Sequence, residues 1–304
     1  MVGRPIPVKC APTTGKKGKK AQVGKPKKLT PKDVGKRLDV LVRKLGEELE
    51  GADLFKPLPP AEDCPVCFVP LPRNVNSETY YEACCGKAIC YACCMENEES
   101  INKHNEENPG KKRALTCPFC REPEPPARRG FYRQVEARCL QNDHIALGMM
   151  GENYLEGDSD TAKDVLKALD CWIRAVELGS AGACVGIGRC YEEGNEIAVD
   201  MERVALFERV GALRGDVTAR NNIGWSEYDN FGNHAIAIRH WKIAAEAGYQ
   251  DSLDALRTIY NADGKNPGKE FISKEHLDFA YRACHGAQVE VRSEGRKKHV
   301  CVKG

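Results

Sequence analysis

The chain has 304 residues, of which 41% are apolar and 30% charged, with a formal net charge of +2. That length carries two modest domains, at least one with an ordinary hydrophobic core. No long apolar run occurs and no apolar secretory core opens the sequence, so membrane insertion and secretion are not expected; a cytoplasmic or nuclear protein is.

Residues 1–30 are rich in Gly, Pro and Lys and are expected to be a disordered basic tail, because so few large apolar groups cannot offset the entropy of ordering. Lys16, Lys17, Lys19, Lys20, Lys25, Lys27 and Lys28 would suit a nuclear localisation signal, a loose phosphate-binding arm or a solvated tail. Over residues 31–50, Val34, Leu38, Leu41, Leu45 and Leu49 recur at helical spacing, with Thr30 as N-cap and Gly51 beyond the end. This predicts a short amphipathic helix whose stripe packs on the cysteine-rich module that follows or pairs with a second chain. Prolines 57, 59 and 60 then mark a linker.

Nine of the sixteen cysteines lie between Cys64 and Cys120. In a reducing compartment such clustering points to metal rather than to disulfides. Three CxxC pairs occur, Cys64/Cys67, Cys90/Cys93 and Cys117/Cys120, together with the adjacent pair Cys84/Cys85. A two-residue gap lets a turn aim both sulfurs at one ion, and a tetrahedral site closes with two such pairs. Eight thiolates therefore suit two structural Zn2+ ions with no open position for catalytic water. Cys94 is left over as a small buried residue. Met95 to Asn108 read as an exposed helix or loop, and Lys111 to Arg113 as a returning strand edge.

Residues 64–121 resemble the RING finger, whose pattern runs CxxC, a loop, CGHxxC, xxC and a closing CPxCR. Cys85-Gly86-Lys87-Ala88-Ile89-Cys90 occupies the CGHxxC block and Cys117-Pro118-Phe119-Cys120-Arg121 the closing CPxCR. The resemblance implies a cross-brace, with Cys64, Cys67, Cys90 and Cys93 on one ion and Cys84, Cys85, Cys117 and Cys120 on the other. Lys87 stands where the family has histidine, and an ammonium offers no lone pair, so the all-cysteine variants are the nearer match, with Cys84 as the ligand. Adjacent cysteines need a sharp turn to share an ion, which Gly86 permits. The resemblance also implies a ubiquitin ligase that performs no covalent chemistry itself but positions a ubiquitin-conjugating enzyme, through Val66, Pro118 and Arg121. Asn97 lies in the region where the family often carries an aromatic residue. A non-enzymatic interaction scaffold using the same surfaces is the alternative.

From Ala146 the sequence repeats. Ala146, Ala183, Ala219 and Ser252 are equivalent, followed four residues later by Met150, Ile187, Ile223 and Leu256, and eight later by Tyr154, Tyr191, Glu227 and Tyr260. This motif resembles the Sel-like repeat, a relative of the tetratricopeptide repeat, and implies stacked helix pairs that recruit a client protein. Trp172, Phe207 and Trp241 anchor the second helices, and the fourth unit, where Arg257 replaces glycine, reads as a cap. Gly186-Ile187-Gly188 has no surrounding βαβ pattern, and Gly264 to Glu270 lacks the spacing and closing Ser or Thr of a phosphate loop, so neither predicts nucleotide binding. Nucleic acid is not an expected partner, because no aromatic residues accompany the tail lysines. The fold class predicted is a small α+β cross-brace zinc module over 61–123, then an all-α helical repeat solenoid over 140–288 and a basic tail over 289–304.

Overall fold

The computed structural model describes residues 29–73, 79–158, 160–262 and 268–290, with side chains as far as 284; the basic tails and the 263–267 segment lie outside them. Helix α1 spans Pro31–Leu49, with the Thr30 hydroxyl accepting from the Asp33 amide at 3.2 Å. The cysteine module follows as a hairpin, β1 (Thr79–Glu82) against β2 (Lys87–Cys90), and a helix, α2 (Tyr91–Glu107). The strands are antiparallel in the register Thr79↔Cys90 and Glu82↔Lys87. The chain after α2, expected as a strand edge, forms no strand. Instead Asn105 clips it to the helix, accepting from the Arg113 amide at 2.6 Å and donating to its carbonyl at 2.9 Å.

Helix α3 (Arg128–Cys139) leads into the helical array. The array pairs α4 (His144–Glu156) with α5 (Val165–Glu177), α6 (Gly182–Glu193) with α7 (Met201–Leu213), α8 (Val217–Trp225) with α9 (His234–Glu246), and α10 (Gln250–Asn261) with α11 (Lys274–Glu290). A π-helical turn, Ser226–Asn230, ends α8 in the unit whose Glu227 departs from the repeat. All four residues of the Ala146 set and all four of the Met150 set are buried, so the repeat in sequence is a repeat in packing. Trp172 is enclosed between Gly151 and Gly186, where a Cβ would overlap its indole, and its Nε1 donates to the Gly148 carbonyl at 3.3 Å. Trp241 repeats the contact two units on, donating to the Asn221 carbonyl at 3.3 Å. Glycines on the first helices thus make room for the large tryptophan anchors on the second.

The stripe of α1 packs against α5 and α7 rather than on the cysteine module: Val34, Leu38, Leu41 and Leu45 join one core with Trp172, Val176 and Phe207. Charges along its flanks fix the register. Arg37 pairs with Asp170, Arg203 reaches Asp39 at 2.8 Å, and Arg214 grips both carboxylate oxygens of Glu48 at 3.0 and 2.7 Å. The proline-rich stretch beyond it is likewise bound down. Leu58 packs with Val217, Ala244 and Tyr249, the Arg220 guanidinium donates to the Leu54 carbonyl at 2.7 Å, and Phe55 sits between the Arg239 guanidinium and the His240 ring. No helix among the described residues is long and apolar enough to cross a membrane.

Candidate metal centres

Two segments of the module fold alike because both must turn a CxxC pair back on itself. In the first, the Cys64 amide donates to the Val69 carbonyl at 2.9 Å and the Phe68 amide to the Cys64 carbonyl at 2.8 Å. In the second, the Cys117 amide donates to Glu122 at 2.8 Å and the Arg121 amide to Cys117 at 3.0 Å. The bridges Asp63↔Pro70 and Thr116↔Pro123 close the bases of these knuckles. The residue after each pair, Phe68 or Arg121, is left-handed, with φ of 57° and 66° respectively, a conformation that non-glycine residues adopt at some cost. Two side chains of unlike chemistry are thereby set at equivalent knuckle exits.

The remaining thiols come from the hairpin. Cys90 ends β2 and caps α2, placing Cys93 one turn in, and the Cys93 amide donates to the Cys90 Sγ at 3.4 Å. Cys84 and Cys85 lie in the turn between β1 and β2, where the Cys85 and Gly86 amides both donate to the Glu82 carbonyl, at 3.1 and 2.7 Å. Gly86, at φ 71°, completes this reversal, and the Arg138 guanidinium lies where its Cβ would be.

The result is two tetrads, Cys64/Cys67/Cys90/Cys93 and Cys84/Cys85/Cys117/Cys120, each with its sulfurs within 4.8 Å of one another. Cys67 and Cys90 lie 3.8 Å apart, Cys85 and Cys117 3.9 Å, and Cys120 and Cys84 3.5 Å. Four thiolates at zinc bond lengths around a tetrahedral ion would be separated by about 3.8 Å. Both tetrads can therefore hold a metal ion. The pairing is interleaved along the chain, first with third and second with fourth, as a cross-brace requires. Lys87 is exposed and takes no part; its ammonium lies 5.9 Å from the Phe119 ring centroid. Cys94 belongs to neither tetrad and is only partly buried.

The thiols of the tetrads differ in acidity. Burial raises Cys64, but backbone amides of Cys90, Cys67 and Val66 outweigh it and bring the thiol down to about 7. Burial and neighbouring thiols push Cys93 and Cys84 far above the ordinary range, and burial together with Cys117 drives Cys85 to about 12. One sulfur of the first tetrad is thus acidified by backbone amides, while burial and neighbouring thiols favour the protonated form of another. The first tetrad is largely buried, whereas Cys120 of the second is exposed.

Of the three residues expected to meet a partner, Val66 and Arg121 are exposed and Pro118 is buried within its knuckle. The aromatic neighbours contribute more open surface: Phe68 is 77% and Phe119 46% exposed, against 37% for Val66. The sequence marks both by their place beside a ligand, but only the left-handed turn after Cys67 explains why Phe68 faces outward.

No family model matches the chain. The E3 ubiquitin-protein ligase DA2 of Arabidopsis thaliana is 30% identical over 115 residues, covering 36% of this chain. The chain spans about a quarter of the length of that relative. Among solved structures, a Sel1 repeat protein from Oxalobacter formigenes is 26% identical with a TM-score of 0.43, covering 51% of this chain and 64% of that one. The c5321 antigen of uropathogenic Escherichia coli, with an SLR fold, is 21% identical with a TM-score of 0.40, covering 54% of this chain and 33% of its own. The repeat architecture stands on the recurring burial described above rather than on these superpositions. The molecule is a RING-like cysteine module followed by Sel-like helical repeats.

Proposed function

We propose that the two tetrads hold structural zinc and that the module, over 61–123, acts as a RING-type ubiquitin ligase. It recruits a ubiquitin-conjugating enzyme and holds its ubiquitin thioester ready for attack, a task of positioning alone. The observation that carries this reading is the interleaved all-cysteine tetrads, which leave a knuckle aliphatic, Val66, and the arginine after the last ligand, Arg121, open to solvent. Similarity to a plant E3 ligase over about a third of the chain supports it. Val66 would pack on the conjugating enzyme, Pro118 would shape the groove from below, and Arg121 would bridge enzyme and ubiquitin with its planar fork of donors. The helical repeats would hold the client, in the cytoplasm or nucleus.

Autoubiquitination with purified components, across a broad panel of conjugating enzymes, tests this. Activity that is lost in Val66→Ala and Arg121→Ala while elemental analysis still gives two zinc ions per chain is expected. A wild-type chain inert with every enzyme of the panel would leave the scaffold reading.

A further inference from the structure

The residue that stands where the family often has an aromatic group makes contacts that give it a task. Asn97 lies on α2, one turn beyond Cys93. Its Nδ2 donates to the Thr116 carbonyl at 2.8 Å, and its Oδ1 accepts from the Arg121 Nη1 at 3.3 Å. Thr116 immediately precedes Cys117 and Arg121 immediately follows Cys120. One amide therefore ties both ends of the second knuckle to the helix that begins in the first tetrad. A side-chain amide does both jobs, whereas a carboxylate accepts but cannot donate to Thr116, and an apolar side chain does neither.

We infer that Asn97 is a positioning residue for Arg121, holding the guanidinium in one preset orientation from which it engages a docked conjugating enzyme and its ubiquitin. The inference rests on the ligase reading above. A free arginine on the surface samples many rotamers and loses that freedom when it bridges two partners. Here the left-handed backbone at Arg121, with φ of 66°, and the Asn97 clip restrict it beforehand. Nη1 is turned toward α2, and the other guanidinium donors are kept for the partner. The clip acts on an arginine that touches the reacting assembly, so its removal should slow the reaction without weakening enzyme capture.

The test is single-turnover discharge of a preformed conjugating-enzyme–ubiquitin thioester onto free lysine by the full chain. In that step the lysine amine attacks the thioester carbonyl, an amide forms, the carbon–sulfur bond breaks and the cysteine thiol leaves with the proton. Asn97→Ala is expected to lower the maximal discharge rate roughly tenfold, as small misplacements of a positioning group do, with zinc content and enzyme affinity preserved. Asn97→Asp, which keeps the acceptor for Arg121 but loses the Thr116 bond, should fall between. The double variant with Arg121→Ala should be no slower than Arg121→Ala alone. The inference is overturned if Asn97→Ala discharges at the wild-type rate, if its effect multiplies with that of Arg121→Ala, or if zinc or affinity is lost in step with rate. A wild-type chain that stimulates no discharge brings down the ligase reading and this inference together; an active wild type with an unaffected Asn97→Ala brings down the inference alone.

Discussion

The cysteine module and the helical array solve the same problem with opposite means. Apart from its cysteines, the buried apolar residues described in the module are few and mostly small: Leu71, Ala83, Ile89, Ala92, Ile101 and Pro118. The array encloses Trp172, Phe207 and Trp241 completely, along with rows of smaller apolar residues. Burial at about 25 cal/mol per Å2 can stabilise the second against chain entropy but not the first, so the module depends on eight sulfurs and what they bind. Among the described residues the candidate metal sites are thus confined to one region and most of the apolar packing to the other, so the bulk of each should fail separately.

The largest expected effect breaks the module alone. Structural zinc in small domains contributes apparent free energies of about 10–16 kcal/mol near neutral pH, so a strong chelator should abolish amide protection along β1 and β2 while the helical signal of the array persists. Because Cys120 is exposed and the first tetrad largely buried, the second site should release its ion first. Release in the other order would reverse the comparison between the two sites. Conversely, Trp172→Ala should cost the array about 3–5 kcal/mol, read as a shifted urea midpoint of the helical signal, with zinc content unchanged.

A third effect separates a buried group from a half-buried one within the array. Burial, with Arg220, Arg239 and Arg209 nearby, lowers His240 to about 4, so its contribution is fully present above about 6.5 and is lost as pH falls toward 4. Burial raises Glu208 to about 7, against which the Asn222 hydrogen bond works only partly; the folded state therefore takes up a proton first and gains stability as pH falls from about 7 to about 4.5. Each group amounts to at most about 3 kcal/mol and the signs oppose. Urea midpoints between pH 7 and 4.5 should therefore fall more steeply in Glu208→Gln than in wild type, and less steeply, or rise, in His240→Gln. Identical slopes in all three proteins would exclude this account.

How much of this the sequence discloses depends on how local the cause is. The thiol pairs were legible because CxxC spacing fixes geometry within a turn, their interleaving into tetrads only through the resemblance to RING fingers, and Cys84 because Lys87 offers no lone pair. The repeats were legible because the Ala146 and Met150 sets recur at near-constant period, and every one of those eight residues is buried. The docking of α1 was not, since it rests on pairs such as Arg37 with Asp170 and Arg214 with Glu48, more than a hundred residues apart in the chain. Helix α3 escaped notice because it is strongly polar and its N-cap position, Ala127, offers no side-chain hydrogen bond. The burial of Pro118 is set by how its knuckle folds onto the hairpin, which no spacing records.

The smallest expected effect lies at the seam between the two regions. The Tyr81 hydroxyl on β1 donates to Asp143 Oδ2 at 2.8 Å, and Arg138 donates to the same oxygen through Nε at 3.0 Å and Nη2 at 2.8 Å while lying over Gly86. Asp143 also caps α4, accepting from the Ile145 and Ala146 amides at 3.1 and 3.3 Å. One carboxylate therefore joins the turn that carries Cys84 and Cys85 to the first helix of the array. Burial would raise Asp143, but Tyr81 and Arg138 prevail and hold it below the ordinary carboxylate range. Its contribution is present above about pH 3.9 and disappears as the pH falls through the lower folded value. Asp143→Asn keeps a cap acceptor but loses the ion pair, and should cost about 1–2 kcal/mol. Tyr81→Phe should cost less, about 1 kcal/mol. The decisive measurement is hydrogen exchange in α4 after chelation: with Asp143 intact, loss of the module should weaken protection at the start of α4, and in Asp143→Asn that coupling should shrink. If α4 is equally indifferent to chelation in both proteins, the two regions share a contact but no energy.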